Sequence, residues 1–188
     1  MTTLSRIVLE LAFNPNIQEK LYEEVKDCID SKGDIDYDLL AKLPYLDAII
    51  SETLRLHSSP LRLRRICTKD YKLGDTGITV HKGQAVRISI YAIHRSEEYF
   101  PNPDQFIPER LLLENRDKII PYTYLPFGGG PRNCIGIRLA QVEVKLCLAY
   151  FIYNFKVYKP TDIPELIIKS YIFNLPKQVI VGIEKRTR

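Results

Sequence analysis

The chain has 188 residues, enough for one domain with a core of its own. With 45% hydrophobic and 27% charged residues it has an ordinary globular composition, and a dispersed net charge of +4 gives no argument for nucleic acid as a partner. Four well-separated cysteines with no leader-like stretch imply reduced thiols on a cytosol-facing protein, and no apolar run is long enough to cross a bilayer.

Met1-Thr2-Thr3-Leu4 opens directly into a helical pattern, which reads as a chain beginning inside a helix. Ile7, Val8, Leu11 and Ala12 form its apolar stripe, which ends at Asn14-Pro15. Asn14 is expected to cap the next helix, with Pro15 in its first turn. Ile17, Leu21, Val25 and Cys28 recur at helical spacing there, and Glu19, Lys20, Glu23, Glu24 and Lys26 read as a solvated outer face. Asp36 should cap a short helix over 37–42. Pro44 starts the next helix, with Leu46, Ile49, Ile50, Thr53 and Leu54 on its apolar side. Glu52 and Arg55 lie three apart on one face of it, either as a solvent-facing pair of small energetic weight or as a buried one.

Ser58-Ser59-Pro60 ends that helix, and Arg62, Arg64 and Arg65 follow as a basic run. An extended segment over 66–73, a turn at Gly74-Asp75-Thr76-Gly77, and strands over 78–80 and 84–91 around His81-Lys82-Gly83 predict a small sheet. Val86, Ile88 and Ile90 alternate with Arg87, Ser89 and Tyr91, so one face should be buried and the other wet. His94-Arg95 is expected to open a short helix. His94 lacks a second ligand at helical spacing, so a hydrogen-bonded structural role is favoured over metal binding. His57 and His81 read as surface or turn residues. Residues 112–124 form a polar, irregular connection. Beyond Gly136, two apolar stripes make a long helix greasy nearly all round, as a central helix would be. Short strands are expected over 156–158, 166–170 and 178–184, ahead of a frayed Lys185-Arg186-Thr187-Arg188 tail.

The loop from Phe127 to Gly136 dominates the reading. Gly128, Gly129 and Gly130 let the backbone turn tightly and approach a flat group closely. Cys134 follows them and precedes the long helix, where unpaired N–H groups favour an anionic sulfur suited to ligating a metal. A lone cysteine at such a place is also commonly buried and inert. Spacing excludes three other glycine- or cysteine-based sites. Pro131 stands where a phosphate loop needs lysine, and Asn133 where a dinucleotide fingerprint needs glycine. No two of Cys28, Cys67, Cys134 and Cys147 form a zinc-type C-x-x-C pair.

Phe127, Gly130, Arg132, Cys134 and Gly136 together resemble F-x-x-G-x-R-x-C-x-G, the haem-binding loop of cytochrome P450. Phe106, Pro108, Glu109 and Arg110 fit its F-x-P-E-R-F segment, with Leu111 in place of the last phenylalanine, and Glu52 and Arg55 fit its E-x-x-R helix. The resemblance implies a mainly α fold with a small β region. Residues 1–188 would be the C-terminal haem-binding portion of a single domain, somewhat over a third of a full-length member. It is similar to the microsomal branch that includes the drug-oxidising forms and thromboxane synthase, on Leu54-Arg55-Leu56, Pro131-Arg132-Asn133-Cys134-Ile135-Gly136 and Gln18-Glu19-Lys20-Leu21.

That resemblance implies haem b, iron protoporphyrin IX, with Cys134 as axial ligand of the iron and a thiolate suited to oxygen activation. Phe127, Gly130, Arg132, Gly136 and Arg65 would bind the cofactor, the two arginines at its propionates. Glu52, Arg55 and Arg110 would form a buried structural triad. Ser59, Leu61, Arg62, Ile172 and Phe173 would contact substrate. Arg138 and Lys145 would either help dock an acidic electron donor or remain plain solvated cations. The implied activity is monooxygenation of a lipophilic small molecule with O2 and electrons from NADPH-cytochrome P450 reductase, at the cytosolic face of the endoplasmic reticulum membrane. A haem-thiolate isomerase acting on a peroxide, or a non-catalytic remnant, are the alternatives. The family's acid and alcohol pair for proton delivery would fall before Met1, so these residues alone are expected to be inactive.

Overall fold

The computed structural model describes residues 2–161 and 179–187. Helices dominate: α1 (Thr2–Phe13), α2 (Pro15–Lys26), α3 (Tyr37–Leu40), α4 (Pro44–Leu56), α5 (Ile90–His94) and α6 (Ile137–Asn154). The β content is three small antiparallel pairs. β1 (Leu63–Ile66) pairs with β4 (Ala85–Ile88), β2 (Tyr71–Lys72) with β3 (Thr79–Val80), and β5 (Phe155–Tyr158) with β6 (Gly182–Lys185). The class is therefore mainly α with a small β region.

The core forms where the apolar stripes of α1, α2, α4 and α6 meet. Ile7, Leu11, Leu21, Val25, Leu46, Ile49, Leu148, Ala149 and Ile152 pack there without appreciable exposure. Gln18 lies fully buried among them. Its side-chain nitrogen donates to the carbonyls of Leu11 and Val157 at 3.2 and 2.8 Å, and its oxygen accepts from the Val157 N–H at 2.8 Å. One buried amide thus ties the end of α1 to β5, and its polar atoms are satisfied as burial requires.

Several expected details come out differently. Asn14 does not cap α2 with its side chain. Its Nδ2 donates instead to the Glu10 carbonyl at 2.8 Å, closing the end of α1, and Pro15 starts α2 without that cap. Asp36 caps α3 as expected, accepting from the amides of Asp38 and Leu39. The face of α2 expected to be solvated stays largely exposed at Lys20 and Glu23 but also makes contacts with other elements. The Glu24 carboxylate accepts from the Tyr45 and Leu46 amides at 2.8 Å each and so caps α4 from another helix. Lys20 pairs with Glu109 at 3.0 Å, and Arg186 donates to both oxygens of Glu19 at 3.0 and 3.1 Å.

The expected strand over 66–73 is split between β1 and β2. The strand over 84–91 stops at Ile88, because the Ser89 side chain accepts from the Ala92 amide and starts α5. His94 therefore ends this short helix, with Arg95 as its C-cap, and does not open it. Neither face of β4 is buried within the described residues: Val86 and Ile88 are exposed, and only Ile90, already in α5, is enclosed. Residues 113–118, expected to be irregular, form a 3-10 helix. In α6 only Leu148, Ala149 and Ile152 are fully enclosed, while Leu139, Leu146 and Tyr150 face outward, so its all-round apolar character is not matched by all-round burial. The strand expected over 166–170 and the site residues Ile172 and Phe173 lie outside the described residues.

Candidate functional site

The site is assembled from the last turns of α4, the segment 94–110 and the loop 125–136. On α4 a spacing of three brings Glu52 and Arg55 together, and both side chains are fully buried. Arg55 Nε and Nη2 donate to the two Glu52 oxygens at 2.8 and 2.9 Å, the paired geometry a planar guanidinium favours. Burial settles the earlier choice against a solvent-facing pair. Glu52 Oε1 also accepts from Arg110 Nε at 3.0 Å and from the Ile107 amide at 3.1 Å. Arg110 continues outward to the carbonyls of Pro101 and Asn102, at 2.8 and 3.2 Å. Arg55 Nη1 donates to the His94 carbonyl at 2.5 Å and Nη2 to the Gln105 carbonyl at 3.3 Å. One carboxylate and two guanidiniums therefore fasten the segment 94–110 onto α4, with each buried charge compensated.

The cysteine loop hangs from this braced body. Gly128 and Gly130 take φ of +77° and +73°, where a side chain would be strained, whereas Gly129 is extended at −148° and needs no glycine for its backbone. The Gly128 amide donates to the Leu125 carbonyl at 3.1 Å, and the Cys134 amide to the Phe127 carbonyl at 3.0 Å, which closes the loop. Cys134 is exposed. Helix α6 begins only at Ile137, with Gly136 as its N-cap. Cys134 thus stands two residues before the N-cap of α6, and its own amide is spent on closing the loop.

Ile135, next to Cys134 in the chain, and Leu139, in the first turn of α6, are among the most exposed apolar side chains, at 104% and 66%. Arg65 reaches the loop: its Nη2 donates to the Arg132 carbonyl at 3.0 Å and its Nη1 to the Arg64 carbonyl at 2.9 Å. Arg65 and Arg132 are exposed, and neither guanidinium has an acidic partner among the described residues. Ser59, Leu61 and Arg62 lie in the connection between α4 and β1, and Phe127 is half-buried at the loop's entry.

Some assignments change with the geometry. Lys145 is neither free nor plainly solvated, since it pairs with Asp47 at 2.7 Å and donates to the Ala41 carbonyl at 3.2 Å, leaving Arg138 as the exposed cation of the two. His57 is not a surface residue: its half-buried ring lies 2.6 Å from Glu10, joining the end of α4 to α1. His81 is exposed at its turn and 3.0 Å from Asp70. The Lys82 amide and His81 together hold the Asp70 carboxyl below its usual range. Periodicity could find neither Gln18 nor Glu24, because their partners are backbone groups of distant elements.

The family comparison follows from the whole chain. The cytochrome P450 family model matches residues 1–182. The chain belongs to the cytochrome P450 family. It is 40% identical over 189 residues to cytochrome P450 3A25 of Mus musculus, covering 100% of this chain and 37% of that protein. It is 41% identical over 187 residues to cytochrome P450 3A12 of Canis lupus familiaris, covering 98% and 37%. With cytochrome P450 3A19 of Capra hircus aegagrus the match is 40% over 184 residues, covering 96% and 82%. The chain thus spans about 37% of the mouse and dog relatives. The cofactor this family implies is haem b.

The donor set fits that group. Among the described residues no three His, Cys, Asp or Glu side chains converge to cage a metal ion. Exposed Ile135 and Leu139 offer apolar cover for a flat macrocycle, and Arg65 and Arg132 offer cations suited to its carboxylates. No described helix is long and apolar enough to cross a membrane.

Proposed function

We propose that residues 1–188 act as the C-terminal haem-binding portion of a single cytochrome P450 domain, and that the whole protein is a haem-thiolate monooxygenase. It inserts one oxygen atom from O2 into a lipophilic small molecule, with electrons from NADPH-cytochrome P450 reductase, at the cytosolic face of the endoplasmic reticulum membrane. The observation that carries this is an exposed Cys134 in a glycine-turned loop of a P450-family chain, near exposed apolar side chains and two arginines that have no acidic partner among the described residues.

When bound, haem supplies the oxygen-activating and oxidising chemistry. Cys134 Sγ would hold the iron through its thiolate. Gly128 and Gly130 turn the backbone so that no side chain keeps the macrocycle away, Gly136 opens α6, and Phe127 packs at the loop's entry. Arg132 and Arg65 would hold the haem propionates. Their mutual contact through the Arg132 carbonyl gives the pair one relative placement. Ser59, Leu61 and Arg62 would contact substrate, and so would Ile172 and Phe173, which lie outside the described residues. Arg138 is the exposed cation available to an acidic electron donor. The triad of Glu52, Arg55 and Arg110 acts structurally, by holding the chain that leads into the loop.

The test supplies the full-length protein with reductase, NADPH and isotopically labelled dioxygen in the presence of lipophilic substrates. The reading expects one labelled oxygen atom in the product and no turnover by the 188-residue chain alone. Rearrangement of an organic peroxide without NADPH, and no label uptake, would replace it with the isomerase reading.

A further inference from the structure

We propose that His94 is a positioning residue, whose ring joins the end of α4 to the backbone of Leu125 and thereby holds the loop that carries Cys134. His94 is fully buried, and both ring nitrogens are engaged. Nε2 lies 2.8 Å from the Leu125 amide, which can only donate, so Nε2 carries no proton. The neutral ring is then the Nδ1–H tautomer. That proton faces the Ser58 hydroxyl oxygen at 2.7 Å and the Arg55 carbonyl at 3.2 Å, both able to accept. The Ser58 hydroxyl in turn donates to the carbonyls of Leu54 and Arg55 at 3.1 and 3.3 Å. The ring cannot swing, because it stacks on Tyr124 at 5.6 Å and meets the edge of Phe100 at 6.1 Å. Tyr124 is itself anchored, its hydroxyl donating to the Ser51 carbonyl at 3.0 Å.

Both ends of this joint matter. On one side stands the buried ion pair, with Arg55 Nη1 on the His94 carbonyl at 2.5 Å. On the other, the Leu125 carbonyl accepts from Gly128 and the Phe127 carbonyl from Cys134. Hydrogen bonds and the short stretches of chain between them therefore link Glu52 through Arg55 and His94 to the amide of the candidate iron ligand. The charged groups facing the ring are Arg55 and, paired with it, Glu52. Burial keeps the ring neutral, with its pKa pushed down to about 4, so the acceptor at Nε2 persists. This outer support would set ligand orientation in the sense known for metal sites, and its significance for haem rests on the reading of Cys134 above.

Two variants separate the ring's two jobs. In His94→Asn the amide can replace Nδ1 toward Ser58 but is too short to reach Leu125. In His94→Gln the longer amide can place an acceptor where Nε2 stood. Hydrogen exchange is followed on the chain without haem, so the outcome is independent of the haem assignment. Exchange at the Leu125, Gly128 and Cys134 amides should rise about tenfold in His94→Asn, the scale of one lost buried hydrogen bond, and stay within about twofold of the unsubstituted chain in His94→Gln. Equal exchange in the two variants, or a rise spread evenly over β5 and β6 as well, overturns the proposal. If His94→Asn does not fold, the unsubstituted chain decides. The three amides should open together as one unit, and independent opening of Cys134 and Leu125 counts against the joint. As a second readout, the carbon monoxide spectrum of the haem-loaded full-length protein should show more loss of thiolate ligation in His94→Asn than in His94→Gln.

Discussion

Replacing Glu52 with alanine tests how the segment before the cysteine loop is held. The carboxylate accepts from four donors: Arg55 Nε, Arg55 Nη2, Arg110 Nε and the Ile107 amide. Its loss strands a guanidinium at Arg55 that stays charged at any usable pH and has no access to water. Breaking a buried pair from one side costs about 3–5 kcal/mol, a large part of the roughly 5–15 kcal/mol that holds a domain folded. At about 2–4 °C per kcal/mol for a chain of this size, Tm should fall by about 6–20 °C. Lys20→Ala is the control: it breaks an ion pair whose side chains are 55% and 44% exposed and should cost under about 1 kcal/mol. Adding Arg55→Met to Glu52→Ala removes the stranded charge and should recover part of the loss. Urea unfolding followed by circular dichroism measures these variants, the Arg55→Met single variant and the unsubstituted chain. A cost for Glu52→Ala no greater than for Lys20→Ala, or a double variant as unstable as the two single effects summed, would refute the triad's bracing role.

Other predictions follow from single groups. His94 has a folded-state pKa near 4 against 6.5 for an unburied ring, because burial disfavours its charged form. The stability this contributes is fully present above pH 6.5 and is lost as the pH falls toward 4, at about 1.4 kcal/mol per pH, or about 3 kcal/mol in all. The difference in urea midpoint between the unsubstituted chain and His94→Gln should shrink over that window, and a constant difference would contradict it. Gln18→Leu leaves the Val157 amide and carbonyl and the Leu11 carbonyl without their partner, so it should cost about 3 kcal/mol in the same unfolding assay despite being apolar and of similar size. Gly130→Ala should weaken protection of the Cys134 amide by about 1–2 kcal/mol because of its φ of +73°. Gly129→Ala meets only the end of the Leu125 side chain at 3.3 Å and should do less. Hydrogen exchange distinguishes the two, and equal effects would remove the backbone argument.

The helical body was readable because its stripes repeat at helical spacing: Ile7 with Leu11, Leu21 with Val25, and Leu46 with Ile49 and Ile50 all lie in the core. The mainly α class with a little sheet rested on that periodicity together with the family resemblance. Errors gathered where a side chain serves a distant backbone. Asn14 closes the helix before it, Glu24 caps a helix two elements away, and His57 reaches back to Glu10. Local pattern carries no information about such contacts. The start of α5 was missed because alternation through Ile90 looks like strand, while the Ser89 cap decides otherwise. Around the site, the spacing of Glu52 and Arg55 told that they share a face but not that the face is buried. The loop's fixed residues pointed to a family, whereas the path through His94 needed coordinates, since its partners lie 36, 39 and 31 residues away in the chain.

The account stands most directly on the sulfur of Cys134. In the full-length protein, Cys134→Ser should abolish the carbon monoxide absorbance band of the reduced state that reports thiolate ligation, and with it most haem retention, while leaving helix content by circular dichroism unchanged. Undiminished haem binding with an unaltered spectrum in that variant would contradict the assignment.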